Sequence, residues 1–187
     1  MQNKPETNQQ LIDTLEKRIE EQLNYTIRVF QNLDEGILNR PSATGGWSIA
    51  QCLQHLNTYG EYYLPLINGS LMQAENCAPS QQLKPGILGN YFTNLMEPRE
   101  KTNKMKAAKI HVPGTINNPH TVVAHFIQQQ ETLLNYVRLA KNKNLNRSTI
   151  PVSVFKLIKL NTADVFRFMV AHNQRHILQA QRNLPVI

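Results

Sequence analysis

His172-Asn173-Gln174-Arg175-His176 lies inside residues 165–184, where apolar positions recur at helical spacing. Side chains four apart on an α-helix lie one above the other, so the two histidines point the same way, one turn apart. Val165, Phe168 and Met169 fall on that face, which turns both imidazoles inward. Two inward imidazoles can bind a transition metal if another element supplies a third ligand. His55, on a separate helical stretch, is the candidate. A histidine pair at this spacing also suits a core pair hydrogen-bonded to its neighbours, so the rest of the chain has to decide.

Working outward, this last helix begins near Asn161, a good N-cap, with Asp164 near its positive end, and stops at Leu184-Pro185. Ile150-Pro151 and the β-branched run Val152-Ser153-Val154 predict a short extended segment before it. Asn118-Pro119 pairs an N-cap with proline at the first helical position. Val122, Val123, Phe126, Leu133, Leu134 and Val137 then predict a helix that fades in residues 141–144. His125, on its polar side, and His120, in its first turn, read as surface histidines.

Ser48 with Gln51 three residues later is a capping-box pattern directly after Gly45-Gly46, so another helix starts there. Its stripe is Ile49, Cys52, Leu53, Leu56 and Tyr63; Trp47 stands where a hydrophobic staple would, and Pro65 predicts a kink or an end. His55 sits beside the stripe, with Gln51 one turn before it and Tyr59 one turn after. Leu11, Leu15, Ile19, Leu23, Val29, Phe30 and Leu33 predict one long first helix over residues 8–33. Residues 69–118 carry five prolines in or beside them and no sustained periodicity, although residues 88–96 suit a short helix. A stretch this long in a compact domain is usually a crossover, a lid or a site wall. Lys101, Lys104, Lys106 and Lys109 make it locally basic, and nothing fixes the direction of His111. The architecture expected from the residues is all-α: a four-helix bundle with a long crossover between its second and third helices, in which sites belong in the core between facing helices.

At 187 residues the chain suits one domain, residues 1–187. Its start lacks the apolar core of a signal peptide, and no apolar run approaches the ~18 residues needed to cross a bilayer. Two cysteines, Cys52 and Cys77, are too few for a disulfide framework, which points to a reducing, cytoplasmic setting. The net charge of +7 is uneven. From residue 138 onward the only acid is Asp164, against Arg138, Lys141, Lys143, Arg147, Lys156, Lys159, Arg167, Arg175 and Arg182. Such a field favours anionic ligands or reads as a solvated basic face. No nucleic-acid-binding motif accompanies it, so nucleic acid is not an expected partner. A homodimer is compatible with such a bundle.

Trp47-Ser48-Ile49-Ala50-Gln51-Cys52-Leu53-Gln54-His55-Leu56 resembles the opening of the second helix in the DinB-like superfamily. Residues 172–182 resemble its closing helix, residues 84–113 its crossover, and Pro151 a proline found before the last helix. The resemblance implies helices in up-down-down-up order and a metal triad that falls on His55, His172 and His176, with a divalent transition metal (zinc or nickel first, iron or manganese next) as cofactor. It further implies a metal-dependent enzyme that activates water or a low-molecular-weight thiol, for hydrolysis or thiol transfer on a small-molecule substrate. The alternative is a non-catalytic ligand-binding or stress-response protein with a degenerate site. No glutamate follows His172, so the helix brings no metalloprotease-type general base. Gln51 and Gln179 are candidates to orient imidazoles or water.

Overall fold

Four long helices carry the structure. A computed structural model describes residues 6–43, 45–99 and 106–185; Lys101 and Lys104, part of the expected basic stretch, lie outside them. The long helices are α1 (Asn8–Arg28), α3 (Ile49–Gln73), α5 (Pro119–Leu139) and α6 (Thr162–Gln181), with two short ones, α2 (Glu35–Asn39) and α4 (Ile87–Met96), between them. Both α1 and α3 pack against α5 and α6. Asn8, at the start of α1, donates to the carbonyls of Ala140 and Lys141 just past the end of α5. Ser70, late in α3, is hydrogen-bonded to Thr162 at the start of α6. Asn57, early in α3, donates to the Val122 carbonyl early in α5.

The start signals work as their chemistry requires. Ser48 and Gln51 form a reciprocal capping box, and the Asn118 and Asn161 side chains accept from the third backbone N–H of α5 and α6. Two boundaries differ from expectation. The first helix does not run to residue 33: it ends at Arg28, where the Asn32 side chain turns back to donate to the Ile27 and Arg28 carbonyls. The following short turn drops Phe30 into the core, edge-on to Tyr25. Pro65 neither ends α3 nor lies in the core; it sits on the exposed face, where water can solvate the carbonyl it leaves without a partner.

The chain is not all-α. Strands β1 (Thr149–Val152) and β2 (Phe155–Asn161) pair antiparallel, with a register shift beside Pro151 and Val152. The expected extended segment is therefore the first strand and tip of a hairpin. Its second strand escapes sequence reading because burial does not follow its apolar residues: Leu157 is 84% exposed while Leu160 is buried.

The apolar interior divides in two. One cluster joins Leu11, Ile19, Tyr63, Leu133 and Val170 with their neighbours, and the other joins Phe30, Leu56, Phe126 and Ile177 with theirs. Between them every long helix contributes buried polar side chains: Gln22 and Thr26 from α1, Asn57 from α3, Gln129 and Gln130 from α5, His172 and Asn173 from α6. These are tied across the layer. Gln22 donates to the Val170 carbonyl, Gln129 to the Asn57 carbonyl and Asn173 to the side-chain amide oxygen of Gln130. An unpaired polar group in such a position costs about 1–3 kcal/mol; among the described residues, Gln22 Oε1 and Asn57 Oδ1 find no donor. The histidines lie at this level of the structure.

Between α3 and α5 the chain makes its crossover. Gly86 donates its N–H to Asp164, and Gly89 packs directly on the Asp164 carboxylate, so α4 lies close along α6. Arg18 grips Glu97 with both terminal nitrogens, at 2.7 and 3.1 Å, which fastens the end of α4 to α1. Among the described residues no helix is long and apolar enough to cross a membrane.

Candidate metal centre

Gly45 supplies a positive φ of 74° in the turn before α3, and Trp47 and Ser48 follow. The cap fixes where the helix begins, and so the height at which His55 enters the interior, two turns further on. Trp47 packs on the cluster containing Cys52 and also walls the histidines. Its ring lies 4.9 Å from that of His55 and is stacked on that of His176 at 5.9 Å. His172 is backed by Phe168, ring to ring at 5.4 Å.

His55, His172 and His176 are all buried, and each offers a ring nitrogen within 4.8 Å of those of the other two. The Nε2 atoms of His55 and His172 are 3.2 Å apart. Two donors bound at about 2.0–2.1 Å to one tetrahedral ion would stand about 3.3 Å apart, so this spacing suits shared coordination. His176 Nδ1 is buried with no hydrogen-bond partner among the described residues. An orphaned nitrogen of that kind is costly unless something binds it.

The tautomer of His55 follows from its partner. Its Nδ1 lies 2.7 Å from the His111 carbonyl oxygen, which can only accept. Nδ1 therefore carries the proton and Nε2 keeps its lone pair, the state a metal-binding imidazole needs. His111 is itself held on both sides. Thr58 spends its hydroxyl proton on the His55 carbonyl, so its oxygen accepts from His111 Nδ1 at 2.8 Å. Ser153, at the hairpin tip, then donates to His111 Nε2 at 3.0 Å, and the Ser153 backbone N–H donates to the Tyr63 hydroxyl. Tyr59 stacks on the His111 ring at 3.9 Å.

The environment keeps these imidazoles neutral. Burial lowers the pKa of His55, against a smaller opposing pull from the His111 carbonyl. Burial, then the charges of His176, His55, Arg175 and His111, hold His172 well below its ordinary range. Burial, then His55 and Arg175, push His176 down to about 3, while the Gln179 side chain pulls the other way. Burial and then His55 take His111 to about 4. Neutral nitrogen is the ligand form, and three such donors suit zinc, nickel, copper or iron. The Tyr59 hydroxyl, pushed up to about 12 by burial, stays protonated and can only donate or accept a hydrogen bond near neutral pH.

The cluster forms part of the wall of a cavity of about 920 Å³, which Gln179 also lines. The crossover contributes Phe92, Leu95 and Met96 to that wall, and the hairpin contributes Val152 and Ser153. Gln51 is not brought to the imidazoles: its amide is engaged by the Ser48 N–H and the Gly114 carbonyl. His120 is exposed, and His125 is half-buried beside Gln129. Sequence reading left His111, Thr58 and Ser153 without a role. The pattern holds no periodic signal for them, because they meet only through the crossover and the hairpin.

Fold and site together define a mostly helical protein with a buried three-histidine cluster between two of its long helices. The chain belongs to the DinB superfamily, whose family model matches residues 18–180. Among solved structures it is similar to YfiT from Bacillus subtilis, which is described as a probable metal-dependent hydrolase with an unusual four-helix bundle topology. The two share 14% identity over 92% of this chain and 85% of that one, with a TM-score of 0.57. The likeness is one of fold. Comparison with curated protein sequences gives no match.

Proposed function

We propose that the protein is a metal-dependent enzyme in which His55, His172 and His176 hold one divalent transition ion, zinc or nickel first. The observation that carries this is the convergence of three neutral, buried imidazoles from two helices, one of them with an orphaned nitrogen, on the wall of a cavity. Membership of the superfamily and the description of YfiT as a probable metal-dependent hydrolase support the same reading.

Bound there, the ion supplies Lewis acidity, making water or a thiol a stronger acid or polarising a carbonyl. This chain's residues do the rest. The His111 carbonyl orients His55, Trp47 and Phe168 fix two ring planes, and Gln179 offers an amide beside His176. Among the described residues no carboxylate lines the cavity, and the protonated Tyr59 hydroxyl is on its wall. Hydrolysis and transfer of a low-molecular-weight thiol to a small electrophile are the two reactions that suit such a site. The helix-end contacts described above support an up-down-down-up bundle, and residues 1–187 form one domain in this reading.

Elemental analysis of protein purified without a histidine tag tests the metal. A screen of the zinc- and nickel-loaded protein against esters, amides and thiol–electrophile pairs then tests the chemistry. About one equivalent of metal is expected. Protein that retains no metal and gains no stability from added zinc or nickel would sink the reading.

A further inference from the structure

We propose that the cavity takes an amphiphilic acid: a small molecule with an apolar body and a carboxylate or phosphate head group, anchored by Arg182 and Lys106 with Arg175. The proposal rests on the metal-dependent reading for the reaction but not for the binding. Positions 172, 175, 176 and 179 of α6 and Arg182, its C-cap residue, share one face, and all five residues line the cavity. The same face that presents two of the histidines therefore continues into two guanidinium groups. Arg182 lies six residues beyond His176, about 9 Å along the helix at ~1.5 Å per residue. That is the span of a small molecule with its reactive end at the histidines and its acid at the mouth. Lys106 and Arg99 approach from the crossover.

Several arginines elsewhere are matched by carboxylates. Arg167 pairs with Asp164 and Glu6, Arg138 with Glu16 and Glu20, and Arg18 with Glu97. Around the cavity no carboxylate lines the wall among the described residues, and Arg182 makes no ion pair with any described residue. Arg175 is half-buried and donates to the Leu95 carbonyl. Guanidinium groups match the oxygens of carboxylates and phosphates in pairs. A concave apolar wall strengthens the field of such cations. The wall itself, with Phe92, Leu95, Met96, Leu160 and Leu178, offers nothing to a bare hydrated anion, which is why the ligand needs an apolar body.

The test uses the full chain and three probes: 4-phenylbutyrate, phenyl phosphate and the neutral 4-phenylbutanol. Each is titrated calorimetrically into metal-free and zinc-loaded protein, with zinc binding measured separately. The expected result is that one or both acids bind the metal-free protein at least tenfold more tightly than the alcohol. Arg182→Gln combined with Lys106→Gln should remove that preference, and Arg175→Gln should weaken it. The zinc titration should be unchanged in the double variant, which shows that it is folded. Equal binding of acid and alcohol overturns the proposal, as does full acid affinity in the double variant. Acid binding that needs zinc and survives the double substitution also overturns it, because the acid would then be a ligand of the ion. If the acids bind as expected but zinc does not, the metal reading falls and the acid site stands.

Discussion

The Nε2 atoms of His55 and His172 face each other at 3.2 Å across the gap between α3 and α6. His55 has committed its ring proton to the His111 carbonyl, so its Nε2 brings only a lone pair. Without an ion, His172 must supply a proton to bridge the two; with one, both lone pairs converge on it. Either arrangement needs the helices held at this separation, and the neighbouring polar layer holds them there. Because the three histidines are far apart in sequence, they meet only in the folded chain. Binding an ion is therefore linked to folding.

Zinc added to stripped protein should raise its melting temperature. With zinc at about 100 times its Kd the linkage is worth about 2.7 kcal/mol, roughly 5–10 °C for a chain of this size. His55→Ala, His172→Ala and His176→Ala should each remove most of that rise, and His120→Ala, at an exposed position, should leave it intact. Thermal scans of the five proteins with and without zinc decide the matter. A rise that survives His55→Ala would show that the pair on α6 binds alone.

Acid should destabilise the metal-free protein early. His55, His111, His172 and His176 all have folded pKa values below the ordinary histidine value, with His111 at about 4 and His176 at about 3. The unfolded chain takes up protons near pH 6.5 while the folded chain does not. The stability these groups contribute is thus fully present above about 6.5 and is lost as pH falls toward the folded values. The slope is at most about 1.4 kcal/mol per pH unit for each histidine. Urea midpoints at pH 7.5, 6 and 5 should fall steadily, and a midpoint flat over that range would contradict the buried neutral state.

Much of the fold was legible because its signals are local. Ser48, Asn118 and Asn161 cap helices where a cap sequence predicts one, and the inward face of α6 was readable from three apolar residues and two histidines. The metal triad needed more: nothing in the spacing from residue 55 to 172 brings the two histidines together, so His55 was a candidate third ligand from the residues and a matched one through the family resemblance. What stayed hidden is non-local. His111 gains its place from Thr58, Tyr59 and Ser153, which lie on a helix and a hairpin remote from it in sequence. The hairpin itself was half missed because β2 turns Leu157 outward. Gln51, one turn from His55, had two possible employers, and the helix cap holds it.

Ser48→Ala should cost about 1 kcal/mol, the usual value of an N-cap side chain. The Ser48 hydroxyl accepts from the Gln51 N–H at 3.1 Å, and the substitution leaves that donor without its partner. A lower urea midpoint with unchanged slope is the expected reading; coincident curves would mean that the cap contributes nothing.

Gly89→Ala should undock α4. A Cβ there would collide with the Asp164 carboxylate, which Gly86, Arg167 and the packing of α4 hold in place. Overpacking of this kind costs about 1–3 kcal/mol. Gly69→Ala, in an exposed part of α3 with nothing near its Cβ, should instead stabilise by about 0.5–1 kcal/mol. Melting temperatures that move in opposite directions would support the account, and a harmless Gly89→Ala would refute close docking of α4.

Ser153→Ala gives the sharpest view of how the hairpin serves the histidines. Ser153 donates to His111 Nε2, Thr58 accepts from His111 Nδ1, and the His111 carbonyl orients His55. Removing the Ser153 hydroxyl leaves a buried ring nitrogen without its donor, worth about 1–3 kcal/mol of stability. It also frees the His111 segment to shift against His55. Groups that orient a ligand in this way typically change metal affinity by about 10–100-fold. The variant should therefore bind zinc more weakly while keeping all three ligands, whereas Val154→Ala, next to it but half exposed, should not. Competition titrations against a zinc chelator read the affinity, and urea midpoints read the stability. Lost stability with unchanged zinc affinity would mean that His111 merely packs beside the site. Weaker zinc binding, with the stability loss accounted for separately, would mean that the hairpin tip sets the position of His55 through two hydrogen bonds and a backbone carbonyl.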